Sequence, residues 1–149
     1  MKLTKALAHF GAATVLAAGG AFVAAGTAHA TDGDVYARVY TTGESGGSTR
    51  SYLDFTGVRT MVFRDFIVND ICPGDGIPVS GQGLVKFMDG TVWTGPKHWD
   101  DTTCDSTSSG VDFGDLPFST DSHQIKEAWV RVCANGQCAA SQHRDNPYT

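Results

Sequence analysis

The chain has 149 residues, with 11 basic and 16 acidic side chains, 41% hydrophobic residues and four cysteines. The balance is acidic and no Lys/Arg cluster occurs, which argues against a phosphate-backbone partner such as nucleic acid. Fourteen of the acids are Asp, a residue that favours turns and caps over helix interiors.

Residues 1–30 read as a secretory signal peptide. Lys2 and Lys5 open the chain, an Ala/Gly/Val-rich stretch follows, and Ala28-His29-Ala30 precedes the polar Thr31-Asp32. A membrane anchor is the rival reading, because the apolar stretch approaches about twenty residues. That stretch is weakly hydrophobic, however, and no basic stop-transfer cluster follows it. Cleavage after Ala30 leaves residues 31–149 as a single domain. It carries nine basic against sixteen acidic residues, a formal charge of −7. The expected destination is extracellular, with no membrane association after cleavage.

Beyond the leader the apolar period is near two rather than 3.6. In "DVYARVYTT" Val35, Ala37 and Val39 alternate with Tyr36, Arg38 and Tyr40. The Gly/Ser-rich 43–50 reads as a flexible connection and "SYLDF" as a short strand. Val58 to Asp70 is the longest apolar run and should be a central strand. Its alternation slips at Arg64-Asp65, where a bulge would keep Phe63 and Phe66 both in the core. Residues 71–83 read as a Pro/Gly-rich loop. "LVKFMDGTVWTG" reads as a hairpin about Asp89-Gly90. With a two-residue turn, Phe87 faces Val92 and Val85 faces Thr94, while Lys86 and Trp93 share the opposite face. Residues 96–110 form a polar loop, 111–124 a short broken strand, and "IKEAWVRVC" a strand with Ala128, Val130 and Val132 on one face. Trp129, Arg131 and Cys133 lie on the other. The fold class is all-β: a small antiparallel β-sandwich or barrel of about six to eight strands.

Cys72, Cys104, Cys133 and Cys138 all follow the leader. An even count in a small exported chain predicts two disulfides. Asn135-Gly136 centres a two-residue hairpin turn, so Ala134 and Gln137 flank it as a hydrogen-bonded pair. Cys133 and Cys138 are then the next, closely approaching pair. Cys72–Cys104 follows by elimination. A redox site would need C-x-x-C, and zinc would need a second close ligand pair; neither spacing occurs.

No G-x-S-x-G nucleophile elbow is expected, because the one match in letters, Gly43 to Gly47, lies in the Gly/Ser-rich connection and opens no helix, and no H-E-x-x-H motif is present. "KHWDD" sets His98 beside Asp100 and Asp101, the raw material of a His–Asp dyad, although neighbours on a loop rarely point at one another. The Asp/Gly stretches "TDGDV", "NDICPGDG" and "DDTTCDSTSSGVDFGD" gather hard oxygen ligands suited to calcium. None has EF-hand spacing, and the same residues make turns, so no cofactor is expected. Trp93, Trp99 and Trp129, with Arg131, are candidates for a platform that holds a carbohydrate or an extracellular protein. The plainer alternative places Trp93 or Trp129 in a second, partly buried face or against a disulfide.

The stretches "FIVNDICPGDG", "FMDGTVWTG" and "AWVRVCANGQCAAS", with the leader ending AHA, resemble small secreted β-rich proteins of actinobacteria. That resemblance implies an extracellular, disulfide-stapled sandwich and carries over no catalytic residue. Secreted subtilisin inhibitors are of similar size, but their cysteine-anchored reactive loop is not recognisable here. The resulting expectation is a non-catalytic binding or interaction module, its rigid scaffold presenting loops 71–83 and 96–110. The alternatives are a small hydrolase using His98 with Asp100 or Asp101, and a protease-inhibitor-like protein.

Overall fold

A computed structural model describes residues 32–41, 45–71, 76–102 and 110–149. The expected leader and cleavage site, and Cys72 and Cys104 with their expected disulfide, lie outside the described residues. Within them the chain is all-β. Strand β1 spans Gly33–Tyr40, β2 Gly46–Gly57, β3 Thr60–Ile71, β4 Val79–Phe87 and β5 Val92–Thr94. Then come β6 His98–Asp100, β7 Val111–Asp112, β8 Leu116–Ser119, β9 Ile125–Ala134, β10 Gln137–Ala140 and β11 Arg144–Asp145. Seven of these run four residues or more; the rest are two- or three-residue pairings.

The strands form two antiparallel sheets. In the first, β1, β2 and β3 lie in order, and β7 and β8 both pair with β3. In the second, the order is β10-β9-β4-β5, with β11 beside β9 and β6 beside β4. One apolar core collects Val35, Leu53, Phe55, Met61, Phe63 and Phe66 from the first sheet with Val79, Val85, Ile125, Val130 and Val132 from the second.

The alternation expected for β1 and β9 holds. Val35, Ala37 and Val39 are buried, as are Ala128, Val130 and Val132. The bulge at Arg64-Asp65 is present too. Arg50 pairs with Ile67 but Tyr52 pairs with Arg64, so Ser51 opposes two residues of β3. Asp65 takes the left-handed conformation (φ 47°). Phe63 and Phe66 both reach the core, their rings 6.3 Å apart at 85°.

Two segments expected as loops are strands. Residues 46–50 begin β2 and pair with both β1 and β3. Residues 79–83 begin β4 and pair with β9. The glycines there are required by close approach rather than by flexibility. A Cβ on Gly47 would lie 2.3 Å from the Val79 Cγ1, and one on Gly81 only 2.5 Å from the Thr49 Oγ1. The sheets touch at these points, and a side chain would hold them apart.

The terminal hairpin follows the Asn-Gly expectation. Asn135 (φ 47°) and Gly136 (φ 76°) form the turn, Gln137 pairs with Ala134 and Cys138 with Cys133. The two cysteines are disulfide-bonded with their Cα atoms 4.1 Å apart.

Candidate functional site

The hairpin at Asp89-Gly90 decides where Trp93 points. The Phe87 amide donates to the Thr91 carbonyl, and the Gly90 amide donates to the Phe87 carbonyl, both at 2.9 Å. Gly90 sits at φ 87°. This is a three-residue loop, a tight turn followed by a left-handed glycine, and not the two-residue turn expected. The register therefore moves by one: Val85 pairs with Trp93, Lys86 with Val92 and Leu84 with Thr94. A slip of one residue exchanges the faces of a strand. Trp93 thus leaves the face assigned from the sequence and shares that of the buried Val85.

Trp93 then forms one wall of a cleft of about 450 Å³ at the margin between the sheets. Phe63, His98, Leu116, Phe118 and Ser119 also line it. The Trp93 and Phe118 rings are 4.6 Å apart. Two glycines make room for the rings: a Cβ on Gly83 would meet the Phe63 ring at 2.7 Å, and one on Gly95 the Trp93 ring at 2.8 Å. The His98 imidazole lies 5.3 Å from the Phe66 ring and 4.7 Å from that of Phe113. Burial pushes its pKa below the ordinary histidine value, which keeps the cleft uncharged near neutrality.

The His–Asp dyad is not assembled. Asp100 is fully buried, and its carboxylate accepts from the Asp70 amide at 2.9 Å, the Thr102 amide at 3.1 Å and the Thr102 hydroxyl at 2.5 Å. It ties β6 to β3 and closes a turn. Asp101 is exposed. Among the described residues no hydrogen bond or ion pair joins His98 to a Ser, Asp or Glu.

The remaining aromatic candidates do not form one platform. Trp129 is buried beneath His143, whose ring stacks on it at 4.0 Å and 11°. His143 also pairs with Glu127, 3.4 Å away, and Lys86 reaches the same carboxylate at 3.1 Å. Burial raises the Glu127 pKa, but hydrogen bonds from Lys86 and His143 outweigh it and leave it below the usual range. Arg131 donates to the Gln82 side-chain oxygen at 2.7 Å, and the Gln82 amide donates to the Gly95 carbonyl at 2.8 Å. Trp99 alone is exposed, at 46%. It borders a shallow hollow of about 180 Å³ beside Cys133 and Cys138, with the Lys97 ammonium 5.3 Å from its ring centre.

No family model matches the chain, and no curated protein or solved structure matches it.

Several acids expected as calcium ligands or turn formers serve as turn caps. Asp112 accepts from the Gly114 amide at 2.7 Å and Asp89 from the Thr91 amide at 2.9 Å. Among the described residues no group of three or more His, Cys, Asp or Glu is arranged to hold a metal ion. The loops expected to present a ligand are shorter than the sequence suggested, because β4 claims residues 79–83 and β6 claims 98–100. Sequence reasoning also passed over the outer face of the first sheet, where two hollows meet at Arg50. The exposed tyrosines of β1 were its only sequence signal.

Proposed function

We propose that the protein is an exported, non-catalytic binding module whose cleft takes a small uncharged ligand bearing an aromatic or aliphatic face. The scaffold is a two-layer β-sandwich stapled by Cys133–Cys138 and, in the same oxidising compartment, by Cys72–Cys104. The observation that carries the reading is the one-residue register of the Asp89-Gly90 hairpin, which turns Trp93 into an apolar cleft. Its volume of about 450 Å³ falls within the range of small-molecule sites, as does an aromatic lining with a few polar groups at the rim. A neutral His98 supports an uncharged ligand, since it supplies a hydrogen-bonding edge without a counter-charge.

Saturation-transfer NMR with indole, para-cresol and geraniol tests this. At least one probe should receive saturation from the wild-type protein and lose it in Leu116→Trp, which fills the cleft, provided that the variant keeps the wild-type circular dichroism. No transfer to any probe, or transfer unchanged in a folded Leu116→Trp, would refute the assignment. Export is checked separately by sequencing the N-terminus of the protein in culture medium, which should begin at Thr31.

A further inference from the structure

The outer face of the first sheet is a second surface, on the opposite side of that sheet from the core and independent of the cleft. The alternation of β1 turns Tyr36 and Tyr40 outward, and β2 adds Tyr52; these are 49%, 55% and 40% exposed. Large aromatic rings grouped on a solvated face call for a partner. Tyr36 pairs directly with Arg50, and Tyr52 follows two residues along β2 opposite Asp34. The two tyrosines are therefore diagonal neighbours flanking Arg50, roughly 7–8 Å apart. On its other side Arg50 pairs with Ile67 of β3.

Two hollows lie end to end here. One, of about 490 Å³, is lined by Asp34, Arg50, Tyr52, Asp65, Ile67 and Asp112 among others. The other, of about 320 Å³, is lined by Tyr36, Ser48, Arg50, Ile67 and Asn69. Sharing Arg50 and Ile67, they make one trough over β1, β2 and β3, with Asp112 of β7 also in its lining. Its polar groups are incompletely used. The Arg50 guanidinium makes no hydrogen bond or ion pair among the described residues, although three carboxylates line the same hollow. The Asn69 side chain, half-buried, lines the second hollow. Asp65 reaches the rim through its bulge, in a left-handed conformation that a non-glycine residue adopts at a cost.

From these features we infer that the trough binds a neutral polysaccharide chain. Tyrosine rings offer flat apolar faces to the C–H faces of sugar rings. A guanidinium, an amide and carboxylates offer donors and acceptors in the mixture that hydroxyl groups need. Asp34, Asp65 and Asp112 repel a polyanion, as does the acidic balance of the chain. The floor is too polar for the apolar centre of a protein interface. Two hollows in line suit a chain rather than a single sugar.

Native electrophoresis of the oxidised protein, produced from the full chain, provides the test. The gels contain hydroxyethylcellulose, xylan, mixed-linkage β-glucan or galactomannan, with heparin and polygalacturonate as anionic controls. Retardation is expected in at least one neutral polymer and in neither polyanion. With oligosaccharides of the retarding polymer, calorimetry should show Tyr36→Ala and Tyr52→Ala each weakening binding about tenfold or more. Tyr36→Phe should stay within about threefold, because the stacking ring remains. Asp65→Gly should weaken binding while melting no lower than the wild type, since glycine adopts that backbone freely. Leu116→Trp should bind as the wild type does, which separates this surface from the cleft. Retardation in no neutral polymer, retardation by polyanions alone, or unchanged binding in a folded Tyr36→Ala/Tyr52→Ala double variant would overturn the inference.

Discussion

Gly81→Ala probes the closest contact between the two sheets. Gly81 lies in β4, paired with Val132 on one side and His98 on the other. A Cβ there would sit 2.5 Å from the Thr49 Oγ1 and 2.6 Å from the Val68 Cγ2. Both neighbours are fully buried and β-branched, so their rotamers have little freedom to yield. Overpacking of this kind costs about 1–3 kcal/mol, and two stiff neighbours place it in the upper half, about 2–3 kcal/mol. For a domain of this size that lowers Tm by about 8–12 °C, readable by calorimetry on the oxidised protein. Among the described residues the Thr49 hydroxyl is buried without a partner, so Thr49→Ala removes an obstacle and no hydrogen bond seen there. Combined with Gly81→Ala it should recover about 1 kcal/mol relative to additivity. A single variant that melts with the wild type, or a double variant that is simply additive, would refute the reasoning.

Other consequences follow from the same contacts. Gly136→Val forces a β-branched residue to φ 76° and should cost about 1–2 kcal/mol with the disulfide intact; an unchanged urea midpoint would contradict the turn. Asp100→Asn leaves a donor of Asp70 or Thr102 facing an amide N–H and should cost about 1–3 kcal/mol, measured by urea unfolding. His98, with its pKa depressed by burial, takes up a proton more readily when unfolded. Its contribution to stability is present above about pH 6.5 and is lost as pH falls through the folded value. His98→Phe should therefore flatten the pH dependence of unfolding below pH about 6.5, and an identical slope would be contrary. Glu127 acts in the same direction at lower pH. Its pKa is depressed on balance, so Glu127→Gln should flatten the decline in stability below about pH 4.5.

How far the fold can be read from the sequence depends on whether a signal is local. Asn135-Gly136 fixes its register through two adjacent backbone conformations, and the cysteine pair follows from it. Asp89-Gly90 is compatible with a two-residue turn and with a three-residue loop ending in a left-handed glycine. The choice between them rests on the seating of Trp93 against Phe118 and of Phe63 over Gly83, contacts between segments far apart in the chain. Residues 46–50 and 79–83 have the composition of loops, yet their glycines lie where the sheets meet. The same effect hid the trough. Tyr36 and Tyr40 could be placed outward from the alternation of β1, but Arg50, the cross-strand partner of Tyr36, lies in a strand whose first half reads as a linker. Trp129 and Arg131 were placed on the correct face, but His143 and Gln82, which cover and hold them, come from other segments.

Fluorine NMR of protein labelled with 5-fluorotryptophan tests the central claim, that Trp93 lines a ligand-binding cleft. The three tryptophan resonances are assigned by single Trp→Phe variants, and the probe that receives saturation from the wild type is then titrated in. The Trp93 resonance should shift progressively to saturation, while those of Trp99, beside the disulfide hairpin, and Trp129, beneath His143, stay in place. A titration that moves Trp99 or Trp129 and leaves Trp93 unchanged would contradict it.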